Sequence, residues 1–196
     1  HEPIRAVQET EYGPQDTEGG STLFTRFPRW YYCPRCREMA EAHISQKSPP
    51  TCTGQYKPCF DPNPDVRRPM RLMVPVRFAV ACEDGHIDDF PWIRWAHFSG
   101  SICENPRIRL LQTQGAGLAG LKVVCENETC KELGVTLSAA GRKDAFVERG
   151  CSGHRPWLGF RNSVSEECER VPQLIQRGAS NAYFARIVTS ILIPPF

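Results

Sequence analysis

Cys33-Pro34-Arg35-Cys36 is the segment of this sequence best suited to chemistry. A two-residue gap lets both thiolates face one ion while the amides between them point at the sulfurs, and Pro34 stiffens the turn. Cys52 and Cys59 follow with six residues between them, wider than a symmetric ribbon would have, though a loop can span it. The four predict a structural zinc site. Its rivals are a redox CxxC, which needs a thioredoxin-like βαβ setting that is absent, and a set of merely buried thiols.

Further ligands stand downstream: Cys82, His86, His97, Cys103, Cys125, Cys130, Cys151, His154 and Cys168. They suffice for two more tetrahedral sites with one group spare. Grouped by proximity in the chain, Cys82, His86, His97 and Cys103 make a mixed site flanking one helix, which leaves Cys125, Cys130, Cys151 and Cys168 as an all-thiolate site. The bland alternatives stay open: His97 interacts only with a helix end, and Cys103 or Cys168 is a buried small hydrophobe. The cofactor expected is zinc, two or three ions.

A catalytic zinc keeps three protein ligands and a water, often beside a Glu base. Glu83, next to Cys82, therefore makes a zinc hydrolase or deaminase acting on nucleic acid the enzymatic rival, and an open zinc position beside Glu83 would be its mark. Against it, HExxH is absent and the deaminase signature HxE with PCxxC does not occur in that order. No phosphate-binding GxxxxGK[ST] loop exists, so the chain is not itself a P-loop motor, and no catalytic residue is assigned. Gly115, Gly117 and Gly120 match a dinucleotide fingerprint in spacing only, because a β-branched strand follows where that fingerprint needs a helix.

These ligands must be held by short elements. The 196 residues hold 10 cysteines, 17 prolines and 15 glycines at 40% apolar content, a composition of turns and small strands that gains from staples. Spacing favours metal over disulfides, with a secreted disulfide-stapled protein as the second rival. The fold class expected is α+β with short elements, irregular and zinc-stapled, with zinc-ribbon-like knuckles. Residues 1–25 read as a polar arm, 26–60 as a zinc-ribbon-like unit, 61–71 as a proline-rich connector, and 72–196 as a zinc-bearing domain that looks cut at its C-terminal end.

Strands are expected over 27–32, 72–81, 108–112, 121–124 and 183–193. A helix capped by Asp88 or Asp89, with Pro91 in its first turn, should run to about His97 on a stripe of Trp92, Ile93, Trp95 and Ala96. A turn with an aromatic anchor should span 151–158 and a short helix 170–177. Trp92, Trp95 and Trp157 are the expected core anchors.

Net charge is only +2, which excludes a global basic field for nucleic acid. Of the 24 basic residues 19 are Arg and 5 Lys, and Arg suits bidentate phosphate contacts. Arg67, Arg68, Arg71 and Arg177 are the nucleic-acid contacts expected, against the alternative of a solvated arginine surface. No apolar run approaches the roughly 18 residues of a membrane span. The polar start His1-Glu2-Pro3 does not read as a signal peptide, so a cytoplasmic location is expected.

Three longer strings are more specific. Val76-Arg77-Phe78 leads to Cys82 and then to Gly85-His86-Ile87-Asp88-Asp89-Phe90-Pro91-Trp92, with Trp95 and His97. Cys151-Ser152-Gly153 precedes Pro156-Trp157-Leu158-Gly159. Arg177-Gly178-Ala179-Ser180-Asn181-Ala182-Tyr183-Phe184 runs into Ser190-Ile191-Leu192-Ile193-Pro194. In this order they resemble the DrmB family of bacterial DISARM anti-phage defence, and Phe27-Pro28-Arg29-Trp30 before the CxxC is similar to that family's start. The resemblance implies a non-catalytic accessory subunit, shorter here than a whole DrmB, that binds the helicase-like ATPase DrmA and helps it engage phage DNA in the bacterial cytoplasm. His154 has no place in the family pattern and is left outside the zinc set.

Overall fold

The computed structural model describes residues 26–43, 46, 48–60, 71–98, 100–158 and 165–177. The polar arm over 1–25, nearly all of the connector, Arg67, Arg68 and the strand expected over 183–193 lie outside the described residues. Among the described residues the strands are β1 (Trp30–Tyr32), β2 (Met39–Glu41), β3 (Val74–Pro75), β4 (Phe78–Ala81), β5 (Ile87–Asp89), β6 (Ile108–Gln112), β7 (Leu121–Cys125), β8 (Val135–Thr136) and β9 (Gln173–Gln176), with the α-helix α1 (Trp92–Ala96). They form three antiparallel sheets, ordered β2-β1-β3, β5-β4-β9 and β6-β7-β8.

One core joins all three sheets. Trp30 and Met39 from the first, Phe78, Val80 and Leu174 from the second, and Ile108, Leu110 and Val123 from the third pack together. Phe90 is its centre, with ring centroids 4.5 Å from Trp92, 5.3 Å from Trp95 and 5.8 Å from Phe146. A second, smaller core of Tyr31, Cys33, Cys36, Ala42 and Met73 lies beside the first sheet.

Four sequence expectations are corrected. The strand over 72–81 is two: Val74-Pro75 joins β1, while Phe78–Ala81 turns into another sheet. Pro75 has no N–H with which to continue a ladder, and the Val76 amide instead donates to the Trp30 carbonyl at 3.0 Å. Helix α1 lacks a side-chain cap, and Pro91 takes the N-cap position. Asp89 belongs to β5 instead, where it accepts from the Arg29 backbone amide at 3.0 Å and from Arg29 Nε at 3.2 Å. Burial pushes its carboxyl up to about 6, against the pull of Arg29.

Residues 173–176 form strand β9, not part of a helix over 170–177. Leu174 turns inward opposite Val80 and four residue pairs tie β9 to β4, so tertiary pairing outweighs the weak helical propensity of Gln-Leu-Ile-Gln. Trp157 is 59% exposed and is no core anchor. It sits on a three-residue 3-10 turn whose inward position belongs to Pro156.

The glycine-rich segment makes a tight connection between β6 and β7, ending in a 3-10 turn over Gly117–Gly120. A Cβ on Gly120 would sit 2.1 Å from the Gly115 carbonyl oxygen. These glycines therefore serve close backbone approach, and the strand that follows rules out the dinucleotide geometry.

Candidate metal centres

The structure brings twelve of the ligand candidates together in three groups of four: Cys33, Cys36, Cys52 and Cys59; Cys82, His86, Cys151 and Cys168; and His97, Cys103, Cys125 and Cys130. Within each group all ligand atoms lie within 4.8 Å of one another. The grouping differs from the local one read off the chain. Cys82 and His86 meet Cys151 and Cys168, while His97 and Cys103 meet Cys125 and Cys130. His154 stands outside all three, 3.8 Å from Asp88.

The first group hangs from the turn between β1 and β2. The Cys33 amide donates to the Glu38 carbonyl at 2.8 Å and the Arg37 amide to the Cys33 carbonyl at 3.0 Å, with Arg37 at φ 65° closing the knuckle. The Sγ atoms of Cys33 and Cys59 are 3.8 Å apart and those of Cys36 and Cys52 3.4 Å. Zn–S bonds of about 2.3 Å in a tetrahedron put sulfurs about 3.8 Å apart, so the group fits an ion of that kind. Buried Glu38 braces the far side: it accepts from the Thr53 amide at 3.0 Å and Gln55 Nε2 at 3.1 Å, and faces Cys52 Sγ at 3.3 Å.

The second group is assembled by the β5-β4-β9 sheet from three distant stretches. The Cys82 amide donates to the His86 carbonyl at 3.0 Å across a turn opened by Gly85. His86 Nδ1 lies 3.4 Å from Cys82 Sγ, and its Nε2 lies 3.4 Å from Glu166 Oε2. A carboxylate there accepts a hydrogen bond from Nε2–H, which leaves the Nδ1 lone pair for an ion. Arg155 holds Glu166 at 2.8 Å. Gly153 (φ 64°) lets this loop close, because a Cβ there would sit 1.8 Å from the Glu166 carbonyl oxygen.

In the third group the imidazole works the other way round. His97 is fully buried, and its Nδ1 donates to the Ile93 carbonyl at 2.7 Å, so Nε2 is the free nitrogen, 3.3 Å from Cys103 Sγ. Cys103 and Cys125 are 3.6 Å apart. Cys125 ends β7, and Asn127 shapes the return to Cys130 by accepting from the Thr129 amide at 2.9 Å. Asn127-Glu128-Thr129 is thus a turn that brings two ligands round.

Thiol electrostatics agree with a cation. Burial raises Cys33, yet the backbone amides of Cys36 and Arg35 outweigh it and hold the thiol at about 7, while burial pushes Cys36 up to about 11 and Cys52 higher. In the second group burial opposes a lowered Cys82, whose sulfur the backbone amides of His86 and Asp84 favour, and Cys151 is pushed up to about 11 by burial. Four clustered thiols cannot all ionise alone; a divalent ion supplies the missing charge. The ten cysteines carry no disulfide.

The family model described as a domain of unknown function, DUF8724, matches residues 4–184. The chain belongs to the DUF8724 family. It is also similar to the DISARM protein DrmB of Bacillus paralicheniformis, at 34% identity over 125 residues, which are 63% of this chain and 21% of that protein. The chain therefore spans about a fifth of that relative's length.

Sequence reasoning missed the groups that brace the ligands of this DUF8724 member: Glu38, Glu166, the Ile93 carbonyl and Arg109. No local spacing marks them. Arg109 ties the first centre to the third sheet: Nε and Nη2 donate to the Cys36 carbonyl at 3.1 and 2.9 Å, Nη1 pairs with Glu126 at 2.6 Å, and the guanidinium lies 4.7 Å from the Tyr56 ring centroid. Arg109→Ala should cost about 1.5 to 3 kcal/mol in urea unfolding, the range for charged hydrogen bonds inside a protein. Arg109→Lys should recover little of it, since one ammonium cannot reproduce the fork.

Several other arginines are also structural. Arg29, Arg142, Arg149, Arg155 and Arg170 each pair with a carboxylate. Of the expected nucleic-acid contacts, Arg71 is half-buried and offers its carbonyl to the Cys52 amide at 2.9 Å, while Arg177 is exposed at the end of β9. No helix among the described residues is long and apolar enough to cross a membrane.

Proposed function

We propose that this chain is a zinc-stapled, non-catalytic module of a DISARM-type anti-phage subunit, which binds a DrmA-like helicase-type ATPase and helps it engage phage DNA in the bacterial cytoplasm. The observation that carries this reading is that each of three centres offers four protein ligands, on a chain similar to DrmB. Four ligands enclose a tetrahedral ion and leave no position for a reacting water, the arrangement of structural sites. Zinc bound to these twelve side chains would supply cross-links between stretches of chain too short to hold a large core alone.

A hydrolytic zinc beside Glu83 finds less support. Glu83 is exposed, and the neighbouring ion would already have Cys82, His86, Cys151 and Cys168. On this reading the first centre behaves as a zinc-ribbon-like unit, and the second and third belong to the domain that follows.

The test is reconstitution of the full-length native protein with its DrmA-like ATPase. Co-purification, DNA-stimulated ATPase in the pair and no turnover by this subunit alone are expected. A full-length protein that never associates with the ATPase would remove the assignment.

A further inference from the structure

On the ladder between β4 and β9, Phe78 stands opposite Gln176 and Ala79 opposite Ile175. The same antiparallel register places Arg77 opposite Arg177, and the Arg177 amide donates to the Arg77 carbonyl at 2.8 Å. Directly opposed residues put their side chains on one face about 4.5 to 5.5 Å apart at Cβ. That face is opposite the one carrying Phe78, Val80 and Leu174 into the core, because strand neighbours alternate. Both arginines are exposed.

Two like charges directly opposed on a ladder destabilise it. Six arginines of the chain, Arg29, Arg109, Arg142, Arg149, Arg155 and Arg170, reach a carboxylate. Among the described residues no carboxylate pairs with Arg77 or Arg177. The next row on that face sets Ala79 between Ile175 and Asp89, and the buried Asp89 carboxylate is already held by Arg29. Two guanidinium forks side by side at the exposed end of the ladder match a tetrahedral oxyanion, which each can hold by parallel N–H bonds.

We propose that Arg77 and Arg177 form a phosphate clamp, and that its ligand is the phosphodiester backbone of nucleic acid. Arg77 was not among the contacts expected from the sequence, and the cross-strand pairing is what makes it one unit with Arg177. The clamp reads no base, so binding should be independent of sequence. It deepens the DNA reading above, yet its test needs only this chain and no ATPase.

The experiment measures binding of the purified chain to a short labelled DNA duplex across salt concentration, and to pyrophosphate by phosphorus NMR. Each phosphate contact contributes nearly one unit to the slope of log affinity against log salt. Arg77→Ala and Arg177→Ala should each lower that slope by about 0.9 and the double variant by nearly two, with metal content unchanged and a melting temperature no lower than the parent's. Arg177→Gln, at the strand end, gives the same reading should the double variant unfold. Pyrophosphate binding that needs both arginines, without DNA binding, would uphold the clamp and remove nucleic acid as its ligand. Parent and variants alike with both probes, or a parent that binds neither, would overturn it.

Discussion

Native mass spectrometry of the purified chain is expected to count three zinc ions and no disulfide, and Cys125→Ser is expected to unfold most of the protein. A structural zinc site contributes on the order of 10 kcal/mol of apparent binding energy to folding, while a domain of this size has a net stability of about 5 to 15 kcal/mol. Losing one centre therefore consumes most of what remains. The centres are not equivalent. Cys125 and His97 are buried, and Cys125 itself belongs to the main core, with Cys103 and Cys130 packed against it, so the third centre and the aromatic cluster should fail together. Cys33→Ser should instead loosen the small core of Tyr31, Ala42 and Met73 and spare the sheets beyond Arg109. Hydrogen exchange separates the two patterns. A chain without metal and with paired cysteines would end the zinc reading.

The contrast between the centres also explains what could be read from the chain. Cys33, Cys36, Cys52 and Cys59 fall within one short stretch, so spacing alone suggests that they meet. Cys82 and His86 reach Cys151 and Cys168 only because β4 pairs with β9 and because Gly153 allows the loop to pass Glu166. Neither condition leaves a periodic mark in the sequence. His97 looked like a partner of His86 because both lie near α1, but the bond from its Nδ1 to Ile93 turns its free nitrogen toward Cys103. The β6–β7 hairpin was legible from two short apolar runs around glycines. Strand β9 was not, since Gln-Leu-Ile-Gln between Pro172 and Arg177 has no period long enough to decide between helix and strand. Its partner β4, far upstream in the chain, decides it.

Trp92→Ala should be the most damaging change outside the metal ligands, at roughly 3 to 5 kcal/mol. Trp92 is 1% exposed and touches the rings of Phe90 and Phe78, with centroids 4.5 and 6.3 Å away. Its indole Nε1 is buried without a hydrogen-bond partner among the described residues, and an unpaired buried donor costs about 1 to 3 kcal/mol. Trp92→Phe removes that donor while keeping an aromatic ring in the cluster, so the lost packing is partly offset and the net change should stay within about 1 kcal/mol of the parent. Trp95→Phe lacks this offset: the Trp95 Nε1 donates to the Thr136 carbonyl at 3.3 Å, and the change strands that acceptor. Trp157→Ala, on an exposed turn, should fall within about 0.5 kcal/mol of the parent. Urea unfolding of the four variants in excess zinc should therefore rank Trp92→Ala as the least stable, then Trp95→Phe, with Trp92→Phe and Trp157→Ala close to the parent. Should Trp92→Phe cost as much as Trp95→Phe, the indole of Trp92 has a hydrogen-bond partner in solution and the offset argued here does not exist.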